Sequence, residues 1–158
     1  WISAVYLHIV FADAASYHAA TLDRMPGRYT PQVRLRLEAA RYVLAEDYVR
    51  ALDGRRVLQA EVNRALTGRD ALLLPSLPIP APTIGAERIE IGGTAEPVRN
   101  LMLRLTQLFN LTGHPAVSIP CGRTPAGLPV GLQLVGPHDH TRDLLGVARA
   151  IEQVLRAN

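Results

Sequence analysis

Apolar positions recur at three- and four-residue spacing over residues 2–24, with Val5, Ile9, Ala12, Tyr17 and Leu22 among them. This predicts an amphipathic helix ending before Met25-Pro26-Gly27, where proline and glycine break it. Thr30-Pro31 is a start signal, a capping hydroxyl followed by proline at the first helical position, where its missing N–H costs nothing. A helical pattern then runs from Pro31 to about Leu66 on Val33, Leu37, Val43, Leu44, Tyr48, Leu52, Leu58, Val62 and Leu66. Gly54 is the expected point of division and Gly68 the expected C-cap.

After Arg69 the period changes. Ala71–Leu74 is a four-residue apolar run and predicts a short buried strand, closed by prolines at 75, 78, 80 and 82 that can continue neither a helix nor a central strand. Residues 85–97, with Gly92-Gly93 and several acids, predict a surface loop, and residues 98–109 a helix. Pro115–Pro120 and Pro129–Val135 predict two strands in an antiparallel pair joined by CGRTPAGL, too long for a two-residue turn. Thr141 opens a last helix through Arg156, with Asp143 in the first turn, where the helix dipole favours negative charge. The class is α/β, a mixed β-sheet covered by α-helices.

Composition narrows what such a domain can do. In 158 residues, 48% hydrophobic, there is core enough for one domain or part of one. The 17 basic residues are all arginine, so no lysine-dependent chemistry resides in this chain. The arginines are scattered from Arg24 to Arg156 without a dense run or interleaved aromatics, which speaks against a nucleic-acid partner. A single cysteine excludes an internal disulfide and fits a reducing, cytoplasmic setting. The opening WISAVYLHIVFADAA is shorter than the ~20 apolar residues of a membrane span and contains His8 and Asp13. It lacks a starting Met and a basic leader segment, so neither a membrane partner nor a signal peptide is expected, and further sequence is expected upstream of Trp1.

The segment NLTGHPAVSIPCG, Asn110 to Gly122, gathers a histidine, a serine and the cysteine within nine residues. Sequence proximity of Cys121 to His114 does not supply the base or electropositive setting a catalytic thiolate needs, and a free cysteine between Pro120 and Gly122 has an easy packing role. His138-Asp139-His140 are adjacent and point in divergent directions, which suits a solvated loop better than a metal, so no metal or cofactor is expected. Gly122, Gly127 and Gly131 lack the strand-loop-helix order and the Lys-Ser/Thr ending of a phosphate loop, and turn geometry explains them. Tyr42, Glu46 and Tyr48 read as ordinary helix-surface polarity. Spacing and composition alone name no reaction.

The ordered series does resemble a known family. DALLLPSLPIPAPTIG, then LTQLFNLTGHPAVSIPCGRTPAGLPVGLQLVGP, then TRDLLGVARAIEQVL is similar to the C-terminal part of amidase signature hydrolases, and SYHAATLDRMPGRYTPQVRLRLEAARYVLAEDYVRAL is similar to the helical stretch before it. NLTGHP, VSIPCG and GLPVGLQLVG in that order are the specific part. The resemblance implies residues 1–158 as the C-terminal part of an amidase domain, with a helical segment at 1–69 and a sheet-contributing segment at 70–158. It implies cleavage of linear carboxamides by a serine activated through a second serine and a lysine, with backbone N–H groups as oxyanion hole. Those catalytic groups lie upstream in the family's chain, and none is expected here. Ser118 and Cys121 are placed by it in the sheet core as scaffold, Asn110, Thr112 and Gly113 in the turn behind the substrate pocket, and Ser76 and Thr106 near the acyl side of the substrate. The pocket candidates are therefore Ser76, Thr106 and Asn110. The implied partners are a small amide substrate and the upstream part of the same enzyme, and a homo-oligomer is left open.

Two other readings compete. One is the transamidating component that converts misacylated glutamyl-tRNA, for which FNLTG is a poorer match than that component's ANLAG-like variant. The other is an interaction domain without catalysis of its own.

Overall fold

The computed structural model describes residues 2–157. The chain divides into two compact units, Trp1–Leu58 and Gln59–Asn158.

The first unit is helical. Helix α1, Ile2–Arg24, buries Val5, Ile9, Ala15 and Leu22 along one stripe and ends as expected before Pro26-Gly27, which form a 3₁₀ turn. Helix α2, Pro31–Ala40, starts at the expected proline and turns Leu37 and Ala40 inward. Thr30 holds the N-cap position, but its hydroxyl makes no capping bond. Arg41 of this unit pairs with Asp23 at 2.5 Å, and the Tyr48 hydroxyl donates to Asp13 at 3.0 Å.

Helix α3, Ala45–Leu66, runs unbroken through Gly54. The division lies instead at residues 41–44, where no glycine or proline stands, and the new helix opens with Glu46 and Asp47 at its positive end. Gly54 has another purpose. A Cβ there would stand 2.8 Å from Cγ2 of Val5, so the missing side chain admits α1. Gly68, at φ +68, closes α3 in the left-handed conformation expected of a C-cap.

In the second unit, strand β1 is Leu72–Pro75, shifted by one residue from the expected run. The segment expected to be a loop is a hairpin, β2 Arg88–Ile91 and β3 Thr94–Pro97, paired antiparallel from Arg88↔Pro97 to Ile91↔Thr94. Gly92 (φ +57) and Gly93 (φ +79) are both left-handed, the requirement of the two-residue turn whose twist matches a hairpin. The expected helix over 98–109 is two short ones, α4 Val98–Leu103 and α5 Gln107–Thr112. The interruption is stabilised from a distance, because buried Gln133 donates from Nε2 to the Leu105 carbonyl at 3.0 Å.

Strands β4, Ala116–Arg123, and β5, Pro129–Val135, form the expected antiparallel pair, although β4 extends three residues further and bulges at Cys121, between Pro120 and Gly122. Helix α6, Thr141–Ala157, follows with Asp143 in its first turn. The main sheet has the order β1-β5-β4 with every pair antiparallel.

Alternation sorts the side chains of this sheet. Leu72, Leu74 and Val135 face Val62, Leu66 and Phe109, from the end of α3 and from α5. Val117, Ile119, Leu132 and Leu134 face the other way, onto Leu144, Val147, Ala148 and Ile151 of α6, which recur at helical spacing. Helices thus cover both faces of the sheet, in keeping with the α/β class. No helix among the described residues is long and apolar enough to cross a membrane.

Candidate functional site

Past the end of β1 the prolines stiffen the chain. Each fixes its own φ and biases the residue before it towards extended backbone, so Pro75–Pro82 forms a preset wall rather than a mobile loop. With Met102 of α4 and Pro129–Gly131 of β5 it lines a half-open cavity of about 480 Å³.

The polar end of this cavity depends on three residues far apart in sequence. Ser76 continues the β1 ladder by donating its backbone N–H to the Gly131 carbonyl at 2.9 Å. Its hydroxyl meets that of Ser118 on β4, Oγ to Oγ 2.5 Å. Both hydroxyls lie over Gly131, where a Cβ would stand 2.6 Å from one and 3.0 Å from the other. Gly131 is therefore glycine for clearance.

Of the residues expected near substrate, Ser76 lines this cavity. Thr106 is half-buried at the N-cap of α5, its hydroxyl within 3.4 Å of the Leu103 carbonyl, and Asn110 is exposed on the same helix, so neither belongs to the cavity wall. Ser118 is not in the sheet core as expected. It stands exposed on the face opposite Val117 and Ile119, where Ser76 reaches it. Cys121 is half-buried at the bulge, its Sγ 3.5 Å from the Val130 carbonyl, and not deep in a core. Met102 also belongs to the wall, as does Gly131, which lies within strand β5 and not in the turn expected of it. The available signal was the glycine interrupting the apolar alternation of PVGLQLV, which marks a close approach.

A second polar cluster holds the turn into β4. Gly113 is left-handed at φ +75 and caps α5. Gln59 donates to the Thr112 carbonyl at 2.9 Å, and His114, 5% exposed, bonds at both ring nitrogens: Nδ1 to the Thr112 hydroxyl at 2.9 Å and Nε2 to Asn63 Oδ1 at 3.0 Å. A neutral imidazole with its proton on Nε2 satisfies both contacts, donating to the amide oxygen and accepting from the hydroxyl. His138 stacks on the same ring with centroids 3.9 Å apart, while His140 pairs with Asp143. Burial first, and then the charge of His138, lower the His114 pKa to about 4.

This lowered pKa makes stability depend on pH in a stated direction. The unfolded chain takes up a proton near pH 6.5 and the folded ring does not until about pH 4, so the contribution is complete above pH 6.5 and is lost as pH falls through that window. With solvent screening discounted, the loss is roughly 1–2 kcal/mol. Urea unfolding between pH 7 and pH 4.5 should show this slope, and His114→Gln should flatten it. An unchanged slope in the variant would assign the dependence elsewhere.

The family model described as "Amidase" matches residues 2–145. An "Amidase" of Pseudomonas putida is 36% identical over 121 residues, covering 76% of this chain and 26% of that protein. A glutamyl-tRNA(Gln) amidotransferase component of Myxococcus xanthus (strain DK1622) is 40% identical over 107 residues, 67% of this chain and 21% of that protein. A solved structure described as "Crystal structure of amidase" superposes with a TM-score of 0.85 at 36% identity, covering 92% of this chain and 33% of that one. The chain thus spans between about a fifth and a third of the length of these relatives.

Proposed function

The chain belongs to the amidase signature family, and on that premise we propose that residues 1–158 are the C-terminal part of a hydrolase that cleaves the C–N bond of linear carboxamides. The observation that supports this most is the agreement of the strand-turn-strand segment NLTGHPAVSIPCG…GLPVGLQLVGP with the family pattern, within a chain that superposes on an amidase over nine-tenths of its length. In this reading the helical segment 1–69 and the sheet-contributing segment 70–158 complete a domain whose serine nucleophile, second serine and lysine lie upstream. Ser76, Thr106 and Asn110 serve the substrate side, Ser76 through the cavity wall. The partners are the upstream part of the same protein and a small amide, with self-association open to test and a cytoplasmic setting suggested by the single cysteine.

The amidotransferase reading draws on the 40% identity to the Myxococcus xanthus protein and ranks second because FNLTG departs from the ANLAG-like form. Expression of the reading frame that includes the upstream region decides between them. Ammonia release from simple carboxamides, abolished by alanine at the upstream nucleophile, is the expected result. Transfer of a glutamine amide nitrogen to glutamyl-tRNA without such hydrolysis would favour the second reading, and neither activity would favour an interaction domain.

A further inference from the structure

Among the described residues, the β2–β3 hairpin forms a sheet of two strands only. Such a pair is marginal alone, because each strand keeps one edge of unpaired backbone groups. The pairing fixes where those groups point. The Val98 N–H donates to the Glu87 carbonyl at 2.9 Å, so Glu87 and Val98 are a hydrogen-bonded pair of the antiparallel ladder. Alternation then makes Ile89–Glu96 and Ile91–Thr94 the next such pairs, and turns the backbone groups of Arg88, Glu90, Ala95 and Pro97 outward.

The two edges are not alike. On β3, Pro97 has no N–H to offer and the Ala95 carbonyl already accepts from the Arg88 guanidinium at 2.5 Å, so this edge has lost a donor and an acceptor. On β2, the N–H and C=O of Arg88 and of Glu90 are all available, and among the described residues no hydrogen bond reaches them. Charged side chains on an edge ordinarily repel a further strand. Here the signs are opposite. Arg88 and Glu90 lie on one face of β2, both exposed, and among the described residues neither has an ion-pair partner, whereas Glu96 of β3 pairs with Arg104.

That arrangement is complementary to itself. Two β2 strands pairing antiparallel on a two-fold axis centred on Arg88 would oppose two arginines, and centred on Glu90 two glutamates. Centred on Ile89, the pairing sets each Arg88 against the Glu90 of the other copy, and every outward N–H donates to an outward carbonyl across the seam. The bond to Ala95 uses one of the five N–H groups of the Arg88 guanidinium, which leaves others for a carboxylate. Ile89, half-buried on the opposite face, meets its own copy at a non-hydrogen-bonded position, where side chains stand closest.

We propose that a second copy of this chain pairs with β2 edge to edge, on a two-fold axis through Ile89, joining two hairpins into one antiparallel sheet with Arg88–Glu90 ion pairs across the seam. The strand offers only 4 residues a side, far less than the ~800 Å² per partner of a standard interface, so the dimer is concentration-dependent. It requires nothing of the reaction and goes beyond the amidase reading.

The test is sedimentation velocity of the full-length protein over about a hundredfold range of concentration, in which a dimer should grow in with concentration. Arg88→Glu and Glu90→Arg, each of which sets like charges across the seam, should each raise the dimer Kd at least tenfold. The two changes together restore opposite signs and should return the Kd to within about threefold of the parent. As an independent readout, the Ile89→Cys variant should oxidise to a dimer linked at position 89, located by peptide mass mapping, because the ~4.5 Å Cα separation of a non-hydrogen-bonded pair is within disulfide reach. A monomer at every concentration, single reversals that leave the dimer intact, a double reversal that fails to restore it, or no link at position 89 would each overturn the proposal. So would a monomer whose Arg88 and Glu90 amides resist hydrogen exchange, since a strand of the upstream region would then occupy the edge. Carboxamide hydrolysis is not read in any arm, so failure of the dimer leaves the amidase reading standing.

Discussion

The 158-residue chain by itself is expected to release no ammonia from simple carboxamides above the uncatalysed background. Hydrolysis through a serine requires a base that is unprotonated at working pH, and in the family pattern that base is a neutral lysine. All 17 basic residues here are arginine, which stays protonated and cannot replace it. Histidine does not rescue the site. His114 is neutral, but both of its ring nitrogens are engaged by Thr112 and Asn63, and it holds the turn rather than facing the cavity. The cavity wall has no titratable side chain, so the hydroxyls of Ser76 and Ser118 have no partner there to take a proton. Turnover by the purified chain that survives Cys121→Ala and disappears with Ser76→Ala or Ser118→Ala would place a nucleophile in this segment and overturn the assignment of catalysis upstream.

What the chain discloses locally and what it does not follow a physical divide. The helices α1 and α6 and the β4–β5 pair follow from periodicities of 3.6 and 2, because their buried faces are written into neighbouring residues. The β2–β3 hairpin is harder to read, since RIEI and TAEP present only Ile89 and Ile91 as large apolar side chains, and Gly92-Gly93 carries the turn alone. Gly54 shows the converse error. Glycine suggests a break in an isolated helix, whereas its purpose is the approach of Val5, about fifty residues earlier. The break between α4 and α5 leaves no local mark either, because the carbonyl it frees is satisfied by Gln133. The site follows the same rule. Alternation in AVSIP places Ser118 opposite Val117 and Ile119, but its meeting with Ser76 over Gly131 joins three separate segments, and no single stretch of sequence contains it.

The largest loss of stability is expected from Leu134→Ala. Leu134 is fully buried in the central strand β5, between Leu73 of β1 and Val117 of β4, and it packs with Ile119, Leu144 and Ala148 in the core between sheet and α6. Truncation removes the transfer free energy of the lost carbons and leaves a cavity with two neighbouring strands and a helix around it. A residue held from several sides has little room to collapse, so the cost belongs towards the upper part of the ~2–5 kcal/mol found for such changes. That is a large share of the ~5–15 kcal/mol by which a domain is normally stable. The control is Leu73→Ala, directly across the ladder in an edge strand and 54% exposed, which should cost less than about 1 kcal/mol because about half its surface is already in water. Urea unfolding of the two variants and the parent, compared at constant slope, separates the cases. Equal losses at the two positions would mean that both leucines are buried alike, and that β1 has a further neighbour covering it in the folded protein.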